Sequence, residues 1–239
     1  VLVGGGLLPL GGGGPSTAPP SAAPASSPTA SPSPGPAFVD GATVGRADAP
    51  LEIEVWADFQ CPFCRLFSHG IEPELVRTYA ATGRARITFR DFAFLGRESL
   101  EAAVAARCAA RQGAFWRYHD LLFASQRGEN EGAFRREVLL SLADVAGLDG
   151  PSFAACLDDP ELAAAVIAET AEGRRLGIDS TPTLRLVGPG GSELLRGLVG
   201  FADLAAAVER ILRPPPSGAS PGTNPGPSAG PSASAPVAP

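Results

Sequence analysis

Apolar and polar residues alternate along residues 51–59 (LEIEVWADF). Leu51, Ile53, Val55 and Ala57 fall on one face, and Glu52, Glu54 and Asp58 on the other. A period of two predicts a half-buried strand. From Pro62 to about residue 81 the period changes: Leu66, Phe67, Ile71, Leu75 and Tyr79 recur at helical spacing. Pro62 suits a first turn, where a missing N–H loses no partner, whereas Pro73 predicts a kink. Residues 85–91 (ARITFRD) predict a second strand. Helix formers then dominate residues 99–176, in runs at 100–110, 115–123, 134–146 and 162–176. Residues 183–187, the turn at 188–191 and residues 193–196 predict a hairpin, and an amphipathic helix over 201–212 closes the pattern. The order is strand, helix, strand, helical block, hairpin, helix, an α/β arrangement.

This patterning stops at both ends. Much of the chain's Gly (29) and Pro (25) lies there, leaving residues 38–213 as one domain with enough apolar surface for a core. Residues 1–10 are apolar and Gly-containing, too short to span a bilayer and without a basic n-region. They read as the remnant of a signal sequence or membrane anchor, or as a plain chain end, and the cysteine usage favours export. Residues 11–37, rich in Pro, Ala, Ser and Gly, predict a solvated spacer, and residues 214–239 a disordered tail. A net charge of -6 with no basic run argues against nucleic acid as a partner. Every positive side chain is Arg, so Schiff-base chemistry through Lys is excluded.

Between the first strand and the first helix lies Cys61-Pro62-Phe63-Cys64. A CxxC pair is half of a zinc site or a redox dithiol. Structural zinc sites usually bring a second close pair, and here Cys108 and Cys156 stand far apart and the histidines are only His69 and His119. No metal or other cofactor is expected. The redox reading needs an easily formed thiolate and a second sulfur within one turn. Cys61 at a helix N-terminus would meet free backbone N–H groups and the positive end of the dipole. That makes it the attacking sulfur, with Cys64, one turn deeper, the resolving one.

Beyond the dithiol the chain carries Asp58-Phe59-Gln60 before Cys61, Phe89-Arg90-Asp91-Phe92, Ala106-Arg107-Cys108-Ala109-Ala110, Phe115-Trp116, His119-Asp120-Leu121-Leu122-Phe123 and Ser180-Thr181-Pro182-Thr183. In these motifs and their order the region 38–213 resembles the DsbA-like branch of thioredoxin-fold oxidoreductases, in particular its exported, Gram-positive-type members. The resemblance implies a thioredoxin-like fold with a helical insertion, about residues 98–178, between the second strand and the Thr-Pro strand. It implies a cis peptide bond before Pro182, facing the dithiol, with Thr181 tuning the sulfur through its hydroxyl. It further implies an extracytoplasmic thiol:disulfide oxidoreductase, secreted or membrane-tethered, acting on exported proteins as a monomer and reoxidised by a membrane quinone-linked partner of the DsbB or vitamin K epoxide reductase type.

Two departures stand out. Relatives commonly carry a buried Glu six positions before the first cysteine; here that position is Val55, and Glu54 should face the other way. A bulge could re-aim Glu54, Asp58 or water could relay the proton, or Cys64 could be activated more slowly. Pro62-Phe63 also lacks the His of strongly oxidising relatives, leaving open an oxidase, a reductase or isomerase, or a binding module. Cys108 and Cys156 are two separate buried thiols or a structural disulfide; an even count in an exported chain favours the bridge. Arg90, Asp91 and Glu98 read as ordinary solvated charges.

Overall fold

The computed structural model describes residues 39–214; the expected apolar start and spacer, and the tail from residue 215 onward, lie outside them. The elements run β1 (Val39–Asp40), β2 (Thr43–Gly45), β3 (Leu51–Ala57), α1 (Pro62–Gly70), α2 (Glu72–Leu75), a π-helical turn (Val76–Ala80), β4 (Ala85–Asp91), α3 (Arg97–Arg111), α4 (Phe115–Ala124), α5 (Arg136–Val145), α6 (Gly150–Leu157), α7 (Pro160–Arg175), β5 (Thr183–Gly188), β6 (Gly191–Arg196) and α8 (Phe201–Leu212). The sheet order is β1-β2-β4-β3-β5-β6, with β3 and β4 parallel and the other pairs antiparallel. This is a thioredoxin-like α/β fold in which α3 to α7 form the helical insertion. The short strands β1 and β2 were not anticipated, because segments of two and three residues carry too little alternation to register.

The alternation in β3 does what its period requires. Leu51, Ile53 and Val55 are buried in the main core with Ile87 and Phe89 of β4 and Leu184 and Leu186 of β5. The pairing of β3 with β4 runs unbroken from Leu51 opposite Ala85 to Ala57 opposite Asp91, so no bulge turns Glu54 inward. Glu54 instead lies opposite Arg185 of β5, 3.1 Å from its guanidinium, and accepts from Trp56 Nε1 at 3.2 Å. On this second face Trp56 packs with Phe92 and Ile178 beneath α7. Gly173 permits that approach: a Cβ there would lie 2.8 Å from both the Trp56 and Phe92 rings.

The charges read as solvated are not. Asp91 and Glu98 are buried, and Arg90 is half-buried. Arg107 of α3 reaches Asp91 and Glu169 of α7, each at 2.6 Å, and Glu169 also meets Arg90 at 2.9 Å. Glu98 accepts from the Gly132 and Phe134 N–H groups, both at 2.8 Å. Sequence patterning misjudged them because a charge is buried only where distant elements bring its partners, and those partners are many residues away. Within the insertion, a disulfide joins Cys108 of α3 to Cys156 of α6.

Candidate active site

The end of β3 and the start of α1 are positioned by one carboxylate. Asp58 Oδ1 accepts from Gln60 N at 2.8 Å and Ser99 Oγ at 2.7 Å, and its Oδ2 from Phe94 N at 2.9 Å and Leu95 N at 3.1 Å. Four donors saturate it, tying the cysteine loop to the chain after β4. Burial raises Asp58 above the usual carboxylate range, while those hydrogen bonds pull the other way. Gln60 Nε2 donates to Ser99 Oγ at 2.8 Å, and Gln126 Nε2 donates to the Cys61 carbonyl at 3.0 Å. Sequence reading missed Ser99, Gln126 and Asn130, whose backbone N–H donates to Gln60 Oε1 at 2.5 Å; each is an isolated polar residue whose role exists only once the insertion folds back.

Cys61 occupies the N-cap of α1, with Pro62 in the first turn, and no side chain caps the helix. The thiol stands at the cap position without capping the helix, and the Phe63 and Cys64 N–H groups there favour its thiolate. Cys61 and Cys64 are both buried and unbonded to each other. Their environments push them apart. The Cys61 thiol is lowered to about 6, chiefly by a hydrogen bond from Cys64, with further help from Thr181 and the Cys64 and Phe63 N–H groups, against the opposing effect of burial. Cys64 is raised well above the ordinary thiol range, first by burial and then by Cys61 itself. One sulfur is a ready thiolate at neutral pH, and the other holds its proton.

The third part arrives from the far side of the insertion. The Thr181–Pro182 peptide bond is cis, and the Thr181 carbonyl accepts from Cys61 Sγ at 3.4 Å. The contact made by Thr181 in the thiol form is thus through its backbone. Its hydroxyl is buried without a hydrogen-bond partner. Gly197 N donates to the Pro182 carbonyl at 2.8 Å, anchoring this loop to the chain after β6. Of the residues singled out in the sequence, Cys61, Cys64 and Thr181-Pro182 converge, and Pro62 and Phe63 stand exposed at the rim. Cys108 and Cys156 lie in the insertion, joined to each other rather than to the dithiol.

The apolar rim is unusual for a surface. Phe63 is 56% exposed and Leu66 53%, both on the outer side of α1; Phe94, next to the Asp58 anchor, and Leu198, next to Gly197, are also exposed. Exposed apolar side chains grouped on a surface are a general feature of interaction sites.

The thioredoxin family model matches residues 39–190. Among curated proteins, the probable disulfide bond formation protein D of Bacillus anthracis is 26% identical over 156 residues, 64% of this chain and 72% of the relative. Disulfide bond formation protein D of Bacillus subtilis is 22% identical over 181 residues, 74% of this chain and 80% of the relative. Among solved structures, oxidised BdbD from Bacillus subtilis superposes with a TM-score of 0.65 at 22% identity, covering 74% of this chain and 96% of that one. Wolbachia pipientis alpha-DsbA1 gives 0.63 at 19% identity, covering 74% and 92%. At such identities the superpositions speak for the fold, whereas the family model spans most of the described residues and includes the dithiol and the cis-Pro: the chain belongs to the thioredoxin family.

Proposed function

We propose that this protein is an extracytoplasmic thiol:disulfide oxidoreductase that introduces disulfides into exported proteins through Cys61 and Cys64. The observation that carries the reading is the split between the two sulfurs: Cys61 lowered to about 6 beside a Cys64 held in its thiol form. A substrate thiolate attacks Cys61 in the oxidised pair, because that sulfur, though largely buried, lies at the helix start beside the exposed Pro62 and Phe63, whereas Cys64 is one turn deeper. The Cys61–Cys64 bond breaks, a mixed disulfide forms at Cys61, and a second substrate thiol displaces Cys61 as a stabilised thiolate. Two electrons pass to the enzyme. Stabilising the Cys61 thiolate stabilises the reduced enzyme, and that favours the oxidising direction over reductase or isomerase activity even though Phe63 replaces a His.

Phe63, Leu66, Phe94 and Leu198 supply a low-specificity apolar surface for unfolded substrate, with the Thr181-Pro182 backbone aligning it beside Cys61. Relatives named for disulfide bond formation support this assignment. Export and reoxidation by a membrane quinone-linked partner are part of the same proposal; among the described residues no helix is long and apolar enough to cross a membrane. The test is a redox titration of the dithiol against glutathione, paired with oxidation of a reduced, unfolded substrate protein. An oxidising potential and substrate oxidation abolished by Cys61→Ser are expected. A potential as reducing as that of thioredoxin would overturn the direction, and unaltered exchange in Cys61→Ser would overturn the dithiol mechanism.

A further inference from the structure

Buried Cys64 presents a problem of proton supply. When a substrate thiolate attacks Cys61, the electron pair of the broken Cys61–Cys64 bond leaves on Cys64 Sγ, in a site whose burial disfavours a thiolate. Val55 has no proton to offer, and Glu54 is held by Arg185 on the other face of β3. Asp58 is close, but its oxygens already accept from four donors, so a proton there would displace one of them and find no acceptor.

The inner side of the first helical segment offers another route. Cys64, Ser68 and Glu72 follow at intervals of four residues, and all three are buried. Four-residue spacing stacks side chains along one helix face, and each leans back toward the N-terminal turn. Glu72 thus leans toward Ser68, and Ser68 toward Cys64. Ser68 Oγ and Glu72 Oε1 are both buried with no hydrogen-bond partner. Two adjacent acceptors left unpaired are costly as a carboxylate and a misaligned hydroxyl; a proton on Glu72, donated to Ser68, would satisfy both. Burial raises the Glu72 carboxyl, and Ser68 and His119 act against that.

The other carboxylate oxygen faces α4. Glu72 Oε2 lies 3.6 Å from His119 Nε2, and His119 Nδ1 lies 2.9 Å from Asp120 Oδ1, which is well exposed. His119 is otherwise enclosed by the rings of Phe59, Phe89, Phe115, Trp116 and Phe123. A surface depression of about 620 Å³ is lined in part by Ser68, His69, Pro73, Arg117 and Asp120. The titratable groups facing Glu72 are His119 and Asp120 of α4, with His69 and Arg117 on the rim of the depression.

We infer that Glu72 is the proton reservoir of the resolving cysteine, passing its proton through Ser68 to Cys64 and recovering it from solvent along His119 and Asp120. This rests on the oxidoreductase reading and deepens it. In the oxidising half-reaction the substrate sulfur bonds to Cys61, Cys64 receives the electron pair and the Glu72 proton, and Glu72 becomes a carboxylate beside His119. In the reverse step Cys64 returns its proton to Glu72 as its sulfur attacks the mixed disulfide and expels the substrate thiolate.

The experiment is single-turnover exchange between oxidised enzyme and a thiol peptide, acid-quenched and followed from pH 5 to 8, for the wild type, Glu72→Gln and Ser68→Ala. Glu72→Gln keeps the shape and loses the proton; exchange about tenfold slower or more is expected, at the low end of general acid–base effects. Its pH–rate profile should lose the inflection due to Glu72, with the Cys61 thiolate titration, measured separately on the reduced protein, unmoved. Ser68→Ala should show the same slowing, and decides the matter if Glu72→Gln does not fold. A folded variant with the wild-type profile overturns the relay while leaving the oxidoreductase reading intact. Absence of exchange in the wild type overturns both.

Discussion

Cys61 gives the most direct quantitative prediction. With a thiol titrating at about 6, the thiolate fraction is about 0.9 at pH 7 and about 0.1 at pH 5, because each pH unit away from the midpoint changes the ratio tenfold. Alkylation of the reduced protein by iodoacetamide should therefore slow about tenfold between pH 7 and pH 5, since only the thiolate attacks. Absorbance of the thiolate near 240 nm should report the same midpoint. Cys64→Ala removes the hydrogen bond that is the largest cause of the lowering. The midpoint should then move upward, short of an ordinary thiol because Thr181 and the helix N–H groups remain. The linkage has a defined sign: a thiol lowered in the folded state stabilises the reduced protein above its unfolded value, and that contribution is lost as pH falls through about 6. The oxidised form has no such thiol. The stability difference between reduced and oxidised protein should hence grow from about pH 6 to about pH 9, followed by thermal unfolding of both forms. A midpoint between 8 and 9 in the wild type, or an unchanged midpoint in Cys64→Ala, would refute the reasoning.

Three further outcomes follow from the packing. Replacing Cys108 and Cys156 by Ala opens a loop with a sequence separation of 48 and should cost about 4 kcal/mol in the chain-entropy picture, measured by urea unfolding, with the Cys61 titration unchanged. Asp58→Ala strands the Gln60, Phe94 and Leu95 N–H groups and should cost about 3 kcal/mol or more, read by the same method; a loss within measurement error would mean that water replaces the carboxylate. Gly173→Ala sets a methyl against the Trp56 and Phe92 rings and should lower stability by about 1–3 kcal/mol, visible as a reduced melting temperature.

Much of this protein is carried by local pattern. The period of two over Leu51–Ala57, its switch at Pro62, the interruption at Pro73 and the turn between β5 and β6 all lie within short windows, so spacing alone predicts strand, helix, kink and hairpin. The dithiol was legible for the same reason: Cys61 and Cys64 are one turn apart in the chain itself. What could not be read locally is whatever depends on a partner brought from afar. Thr181 lies 120 residues beyond Cys61, and its meeting with that sulfur depends on β5 pairing with β3. Arg107 and Glu169 decide that Asp91 is buried rather than solvated. Ser68 and Glu72 sit at visible four-residue steps from Cys64, but a stripe of polar residues on a helix looks like a wet face until α4 covers it with His119. Sequence determined which groups could react and how the backbone would run between them; tertiary structure alone decided which charges lose their water, and it added the burial that keeps the proton on Cys64 against the hydrogen bonds that release it from Cys61.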